Sequence, residues 1–128
     1  MDLTSTDSVR VRIPASPVYL RVVRLVAADL ASRLGFTIDE IEDLKIAVDE
    51  LAAYMTGSQG RDGSLQIEFS VDEDRIEISG AGHFIEGLRV RTELTDFSRT
   101  ILETVADSAD LQQLDGTPTF RLVKTKGR

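Results

Sequence analysis

Hydrophobic positions change period several times along the chain, and each change marks an element. Val9, Val11 and Ile13 alternate with Arg10 and Arg12, a period of two that predicts a half-buried strand over 8–13 with a basic outer face. Pro14 ends it. Ser16 followed by Pro17 is a helix-start signal, since serine caps free N–H groups and proline suits the first helical position. The helix is expected over 17–34, with Val18, Val22, Leu25, Val26, Leu30 and Leu34 as its core stripe at helical spacing. Gly35 is placed to stop it. Thr37 and Glu40 then have the form of a capping box, and Ile41, Leu44, Val48, Leu51 and Met55 step by three, four, three and four residues. This is the clearest helical signal in the chain. Asp39, Glu42, Asp43, Asp49 and Glu50 give that helix an acidic polar surface, whose plain reading is a solvated face.

Beyond a glycine-rich polar loop over 57–63, the alternation returns. Leu65, Ile67, Phe69 and Val71 read as a strand, Asp72-Glu73-Asp74 as a turn, and Ile76 and Ile78 as the return strand of a hairpin. From Gly80 to Asp96 the pattern breaks, and Gly80, Gly82 and Gly87 read as parts of a mixed loop. Asp96 reads as the cap of a third helix over 97–106, with Ile101, Leu102 and Val105 facing inward. Leu111 and Leu114 suggest a short strand, Asp115-Gly116 a turn, 120–123 a last strand and 124–128 a frayed basic tail. The order β-α-α-β-β-loop-α-β-β predicts an α+β fold. Its form would be a two-layer α/β sandwich, with helices on one face of a mixed, mostly antiparallel sheet. No repeat or long linker divides it, so one domain over 1–128 is expected, flexible at 1–7 and 125–128.

Composition narrows the chemistry. Of 128 residues, 22 are acidic and 15 basic, for a formal charge of −7; such a balance argues against a broad phosphate-binding surface, and so against nucleic acid as a direct partner. There is no cysteine, which excludes disulfides, thiolate metal sites and cysteine nucleophiles. His83 is the single histidine, so no His-rich metal centre is expected, and it reads as a loop residue touching solvent. No apolar run approaches the roughly 20 residues that span a bilayer, and no signal-peptide pattern is visible at the N-terminus. The expectation is a cytoplasmic protein with no membrane partner.

The stretch Phe36-Thr-Ile-Asp-Glu-Ile-Glu-Asp-Leu-Lys-Ile-Ala-Val-Asp-Glu50 resembles the second helix of the RsbW/SpoIIAB anti-sigma factor kinases. These belong to the GHKL ATPase superfamily, with histidine-kinase ATP domains, gyrase and Hsp90. The element order matches over nearly the whole chain, and the sequence looks like a divergent actinobacterial branch of the family. The resemblance implies a sandwich of GHKL (Bergerat) type. In that family the helix carries an E-x-x-x-N box: the glutamate orients or deprotonates the attacking hydroxyl, and the asparagine oxygen ligates Mg²⁺. Magnesium prefers hard oxygen ligands, and a spacing of four puts both groups on one helix face. Glu50 matches the glutamate, whereas Tyr54 stands at the asparagine and Ser58 at a histidine common in the family.

The next family box, D-x-G-x-G, aligns its glycines with Gly80 and Gly82, which puts Ile78 where an aspartate accepts the adenine amino proton. A third, glycine-rich phosphate box would fall at Thr95-Asp96-Phe97-Ser98-Arg99-Thr100, which has no glycine. Asp96 would put negative charge where phosphate sits at a helix N-terminus. Gly116-Thr117-Pro118-Thr119-Phe120 is similar to the closing G-T-x-T-F, which implies Thr119 near adenine. Taken alone, the same residues also read as a solvated carboxylate (Glu50), turn glycines (Gly80, Gly82) and a strand threonine (Thr119).

The resemblance implies an anti-sigma factor that works by binding. It would sequester a sigma factor and be released when an anti-anti-sigma protein of STAS type competes for it. A homodimer is expected from the related proteins. With the boxes eroded, Mg²⁺-ATP binding should be weak or absent, with no resident cofactor or metal. The alternative is an active ATP-dependent serine kinase that phosphorylates the antagonist, with Glu50 as catalytic base. A third reading is a scaffold or sensor of the same fold without a sigma partner. The resemblance points to the first helix and adjoining strand for sigma contact, where Arg10, Arg12, Arg21, Arg24 and Arg33 gather. Arginine suits bidentate pairing with carboxylates; the plainer reading of these residues is a solubilising face.

Overall fold

The computed structural model describes residues 7–85 and 88–127; Gly87, residues 1–6 and Arg128 lie outside them. Strand β1 (Asp7–Pro14) leads through a 3₁₀ turn (Pro17–Tyr19) into helices α1 (Leu20–Arg33) and α2 (Ile38–Thr56). The hairpin β2 (Gly63–Val71) and β3 (Arg75–Phe84) follows, then α3 (Asp96–Val105) and the hairpin β4 (Ser108–Leu114) and β5 (Thr117–Thr125). The five strands lie in the order β1-β2-β3-β5-β4. Every neighbouring pair is antiparallel, so the sheet expected to be mixed is antiparallel throughout its described strands. Val9, Val11 and Ile13 of β1, and Leu65, Ile67, Phe69, Ile76, Ile78, Phe120 and Leu122 of the other strands, join the core beneath the helices. The architecture is the expected α+β sandwich.

Helix α2 forms as its spacing predicts. Thr37 Oγ1 accepts the Glu40 N–H at 3.1 Å and Glu40 Oε1 accepts the Thr37 N–H at 2.8 Å, completing the capping box. Leu44, Val48, Leu51 and Met55 are fully buried. The far end stops at Gly57, which takes φ 65°, and Arg61 donates to the carbonyls of Tyr54 and Met55 at 3.1 and 3.2 Å.

Helix α1 departs from expectation. Its buried face is Leu20, Val23, Ala27 and Ala31. Of the expected stripe, Val18, Val22 and Leu25 are 78%, 40% and 59% exposed, while Val26, Leu30 and Leu34 only flank the core. The reason is volume: a face with two alanines lets the helix lie close to its neighbours, where larger side chains would hold it off. Ser16 makes no side-chain cap, and three residues of 3₁₀ turn precede the α-helix. Gly35, with φ 86°, ends it as expected.

Three further corrections concern local structure. Gly80 and Gly82 lie inside β3, not in a loop; a Cβ at Gly80 would collide with the Phe120 ring, and one at Gly82 with the Phe84 ring. The cap of α3 is Thr95, whose Oγ1 accepts the Ser98 N–H at 3.1 Å, and Asp96 is the first helical residue. The C-terminal segment read as frayed is tied down as far as it is described. Here β5 runs to Thr125, Lys126 Nζ donates to the Leu34 carbonyl at 3.1 Å, and the Gly127 N–H donates to Glu40 Oε2 at 2.5 Å.

Candidate functional site

The acidic helix α2 brings Glu50 and Tyr54 to one flank, as a spacing of four requires. That flank faces the first turn of α3. Ser98 Oγ donates to Glu50 Oε2 at 2.6 Å, and the Tyr54 hydroxyl donates to Ser98 Oγ at 2.8 Å. The Thr95 N–H in turn donates to the Tyr54 oxygen at 3.0 Å. Thr95 Oγ1 lies 3.1 Å from Ser98 Oγ and 3.5 Å from the Tyr54 hydroxyl. Ser98 is buried, 4% exposed, and Glu50 and Tyr54 are half-buried. Burial by itself would raise the Tyr54 phenol, but its hydrogen bonds with Ser98 and Thr95 outweigh it and hold the phenol below its ordinary value.

The remaining candidates do not converge on this cluster. Ile78 is a fully buried core residue, and Gly80 is packed beneath Phe120. Thr119 pairs with Ala81 in the register that sets Phe120 against Gly80, so its side chain points to the opposite face of the sheet. There it lines a hollow of about 520 Å³ with Arg10, Gln66, His83, Gln112 and Arg121. His83 is thus an exposed residue of β3 instead of a loop residue. Tyr54 is engaged within the chain, Ile78 offers no acceptor, and Thr119 faces away. Among the described residues no group of three or more His, Asp or Glu is arranged around a metal position.

The five arginines divide between the two faces of the sandwich. Arg10 and Arg12 stand on the outer sheet face, where Arg10 pairs with Glu68 at 2.5 Å and Arg12 donates to Ser64 Oγ at 3.3 Å. Arg21, Arg24 and Arg33 lie on the helical face. Arg24 pairs with Asp49 at 2.9 Å and Arg33 with Asp29 at 2.8 Å, while Arg21 is exposed beside the apolar ridge of Val18, Val22 and Leu25. Sequence reasoning missed that ridge, having assigned it to the core. It also missed Ser98 and Thr95 as partners of α2. Lys124, 3% exposed, was assigned to the tail, yet its Nζ donates to the Val105 carbonyl at the end of α3 at 3.1 Å. Its inward position in β5 follows from alternation with Phe120 and Leu122, a signal the sequence did contain.

Fold and site together define an α+β sandwich of GHKL type whose second helix presents Glu50 and Tyr54 on one flank. No family model matches the chain. Curated relatives do match it. It is 44% identical over 78 residues to a protein named serine-protein kinase RsbW from Bacillus velezensis, covering 59% of this chain and 49% of that one. A protein of the same name from Bacillus subtilis (strain 168) is 42% identical over 77 residues, covering 58% and 48%. Another, from Bacillus cereus (strain Q1), is 32% identical over 101 residues, covering 74% and 63%. The chain is an RsbW/SpoIIAB-type protein of the GHKL fold. It spans about half the length of the first two relatives. No described helix is long and apolar enough to cross a membrane.

Proposed function

We propose that this chain is an anti-sigma factor that acts by binding, with a degenerate ATP site. It sequesters a sigma factor and gives it up when a STAS-type antagonist occupies the same molecule. The observation that carries the reading is Tyr54. It stands at the position that the resemblance gives to a metal-ligating asparagine, and its hydroxyl is bonded to Thr95 and Ser98. Binding survives such a change where phosphoryl transfer, which depends on metal-assisted positioning, does not. The exposed ridge of Val18, Val22 and Leu25 with Arg21 supports a docking role for α1, because exposed apolar side chains grouped on one face and rimmed by polar residues mark an interaction surface.

A second reading, active serine kinase, draws support from the relatives' names and from Glu50. Calorimetric titration with ATP and Mg²⁺ separates the two: weak or absent binding is expected, and tight magnesium-dependent binding promotes the kinase. The partner is identified by co-purification from the native host and mass spectrometry. Arg21→Glu or Leu25→Asp should then weaken sigma binding in surface plasmon resonance with the fold intact by circular dichroism. For Arg21→Glu the loss should fall on the association rate and vary with salt. Arg24→Glu also breaks the pair with Asp49 and is the less clean test. Unchanged affinity in folded variants removes α1 from the mechanism. Homodimerisation is tested separately by light scattering at micromolar concentration.

A further inference from the structure

We propose that the hydroxyl chain between α2 and α3 is a clasp, which fixes the first turn of α3 with no nucleotide present. The chain has one direction. The Thr95 N–H donates to the Tyr54 oxygen, Tyr54 donates to Ser98, and Ser98 donates to the Glu50 carboxylate, at 3.0, 2.8 and 2.6 Å. Linked donors polarise one another, and a chain that ends on an ionised acceptor is strengthened along its length. Ser98 is fully used. Its hydroxyl donates to Glu50 and accepts from Tyr54 and from Thr95 Oγ1, while its N–H donates to Thr95 Oγ1.

The geometry is local to the start of α3. Thr95 and Ser98 are the cap and the third residue of this helix, and Glu50 and Tyr54 belong to the long rigid α2. The other end of α3 is held independently, by Lys124 on the Val105 carbonyl and by buried Leu102 and Val105. Releasing the clasp therefore frees one turn and leaves the rest docked. The same turn carries Phe97, 74% exposed, so the clasp also fixes where an exposed aromatic side chain stands. This inference rests on geometry alone and does not require the sigma-binding reading.

Amide hydrogen exchange by NMR on the full chain tests it. Tyr54→Phe keeps the ring and removes the hydroxyl; Ser98→Ala removes the relay to Glu50. In each variant the Thr95, Ser98 and Arg99 amides are expected to exchange at least about tenfold faster, while amides over 44–51 and 65–69 quicken by clearly less, no more than about fivefold. Unchanged rates at Thr95 and Ser98 in both variants overturn the clasp. So does a uniform acceleration through helices and sheet, which would make the network part of global stability. A third arm adds ATP and Mg²⁺ to the wild-type chain. Exchange over 95–99 is expected to stay the same; slowing there would mean that nucleotide, not the hydroxyl chain, orders the turn.

Discussion

Helix α2 holds its two neighbours by different means. On the α1 side, the side chains that this helix buries completely are small: Val23, Ala27 and Ala31. The polar link there is the Arg24–Asp49 pair, with both side chains at least a third exposed or nearly so. Toward α3 the contact runs through four polar side chains, Glu50, Tyr54, Thr95 and Ser98, in one hydrogen-bonded chain. A flank built from small apolar volume is set by shape and fails by overpacking. A flank built from oriented donors and acceptors responds to the loss of a single oxygen. The first suits a permanent core contact, and the second suits a contact that can open.

The largest effect should come from the stripe both flanks depend on. Leu51 is fully buried on α2, and Leu51→Ala should destabilise the chain by about 3 kcal/mol through lost transfer energy and a residual cavity. Urea denaturation measures it; a loss below about 1 kcal/mol would mean that α2 is not the central helix of the core. Next is a paired test of the α1 flank. Ala27→Leu should cost about 2 kcal/mol by overpacking, whereas Leu25→Ser, two residues away and exposed, should change stability by no more than about 0.5 kcal/mol. The opposite order would put the buried stripe where the sequence pattern placed it.

The α3 flank should respond to a smaller change. Tyr54→Phe removes one oxygen and should cost about 1 kcal/mol. Asp49→Asn, which weakens the exposed pair with Arg24, should cost less than about 0.5 kcal/mol, and high salt should shrink it further. Equal effects from the two substitutions would erase the distinction between the flanks.

The same contrast explains what could be read in advance. Leu44, Val48, Leu51 and Met55 are large, apolar and regularly spaced, so α2 and its capping box were legible residue by residue. The faces of α1 were not, because alanine carries the buried side and valine and leucine the exposed one. Periodicity weighted by hydrophobicity points the wrong way in that case. The strand through Gly80 and Gly82 was hidden because glycine reads as a turn; its reason here is the pair of rings from Phe120 and Phe84. Tyr54 and Ser98 are 44 residues apart, and no spacing rule links them. The resemblance implied Thr119 near adenine and put Ile78 at the position of the adenine-binding aspartate, whereas strand register assigns the two to opposite faces.

The smallest expected effect belongs to the other end of α2, where Glu40 closes the capping box and accepts the Gly127 N–H. Hydrogen bonds from the Thr37 and Gly127 amides hold its carboxyl below the ordinary value of 4.5. The folded chain therefore favours the charged form. The stability this contributes is fully present above the ordinary carboxylate range and is lost as pH falls through the depressed folded value. The side chain is close to solvent, so screening keeps the effect small. Glu40→Gln keeps an acceptor for the Thr37 N–H but removes the negative charge from the helix N-terminus and one of the two acceptor oxygens. The variant should lose no more than about 0.3 kcal/mol at pH 7. Its deficit should begin to close below about pH 4.5 and vanish once Glu40 is protonated in the folded wild type. Urea denaturation of both proteins at stepped pH follows the convergence. A deficit that stays constant into acid would trace the role of Glu40 to its shape, and the charge at this helix start would then contribute nothing measurable.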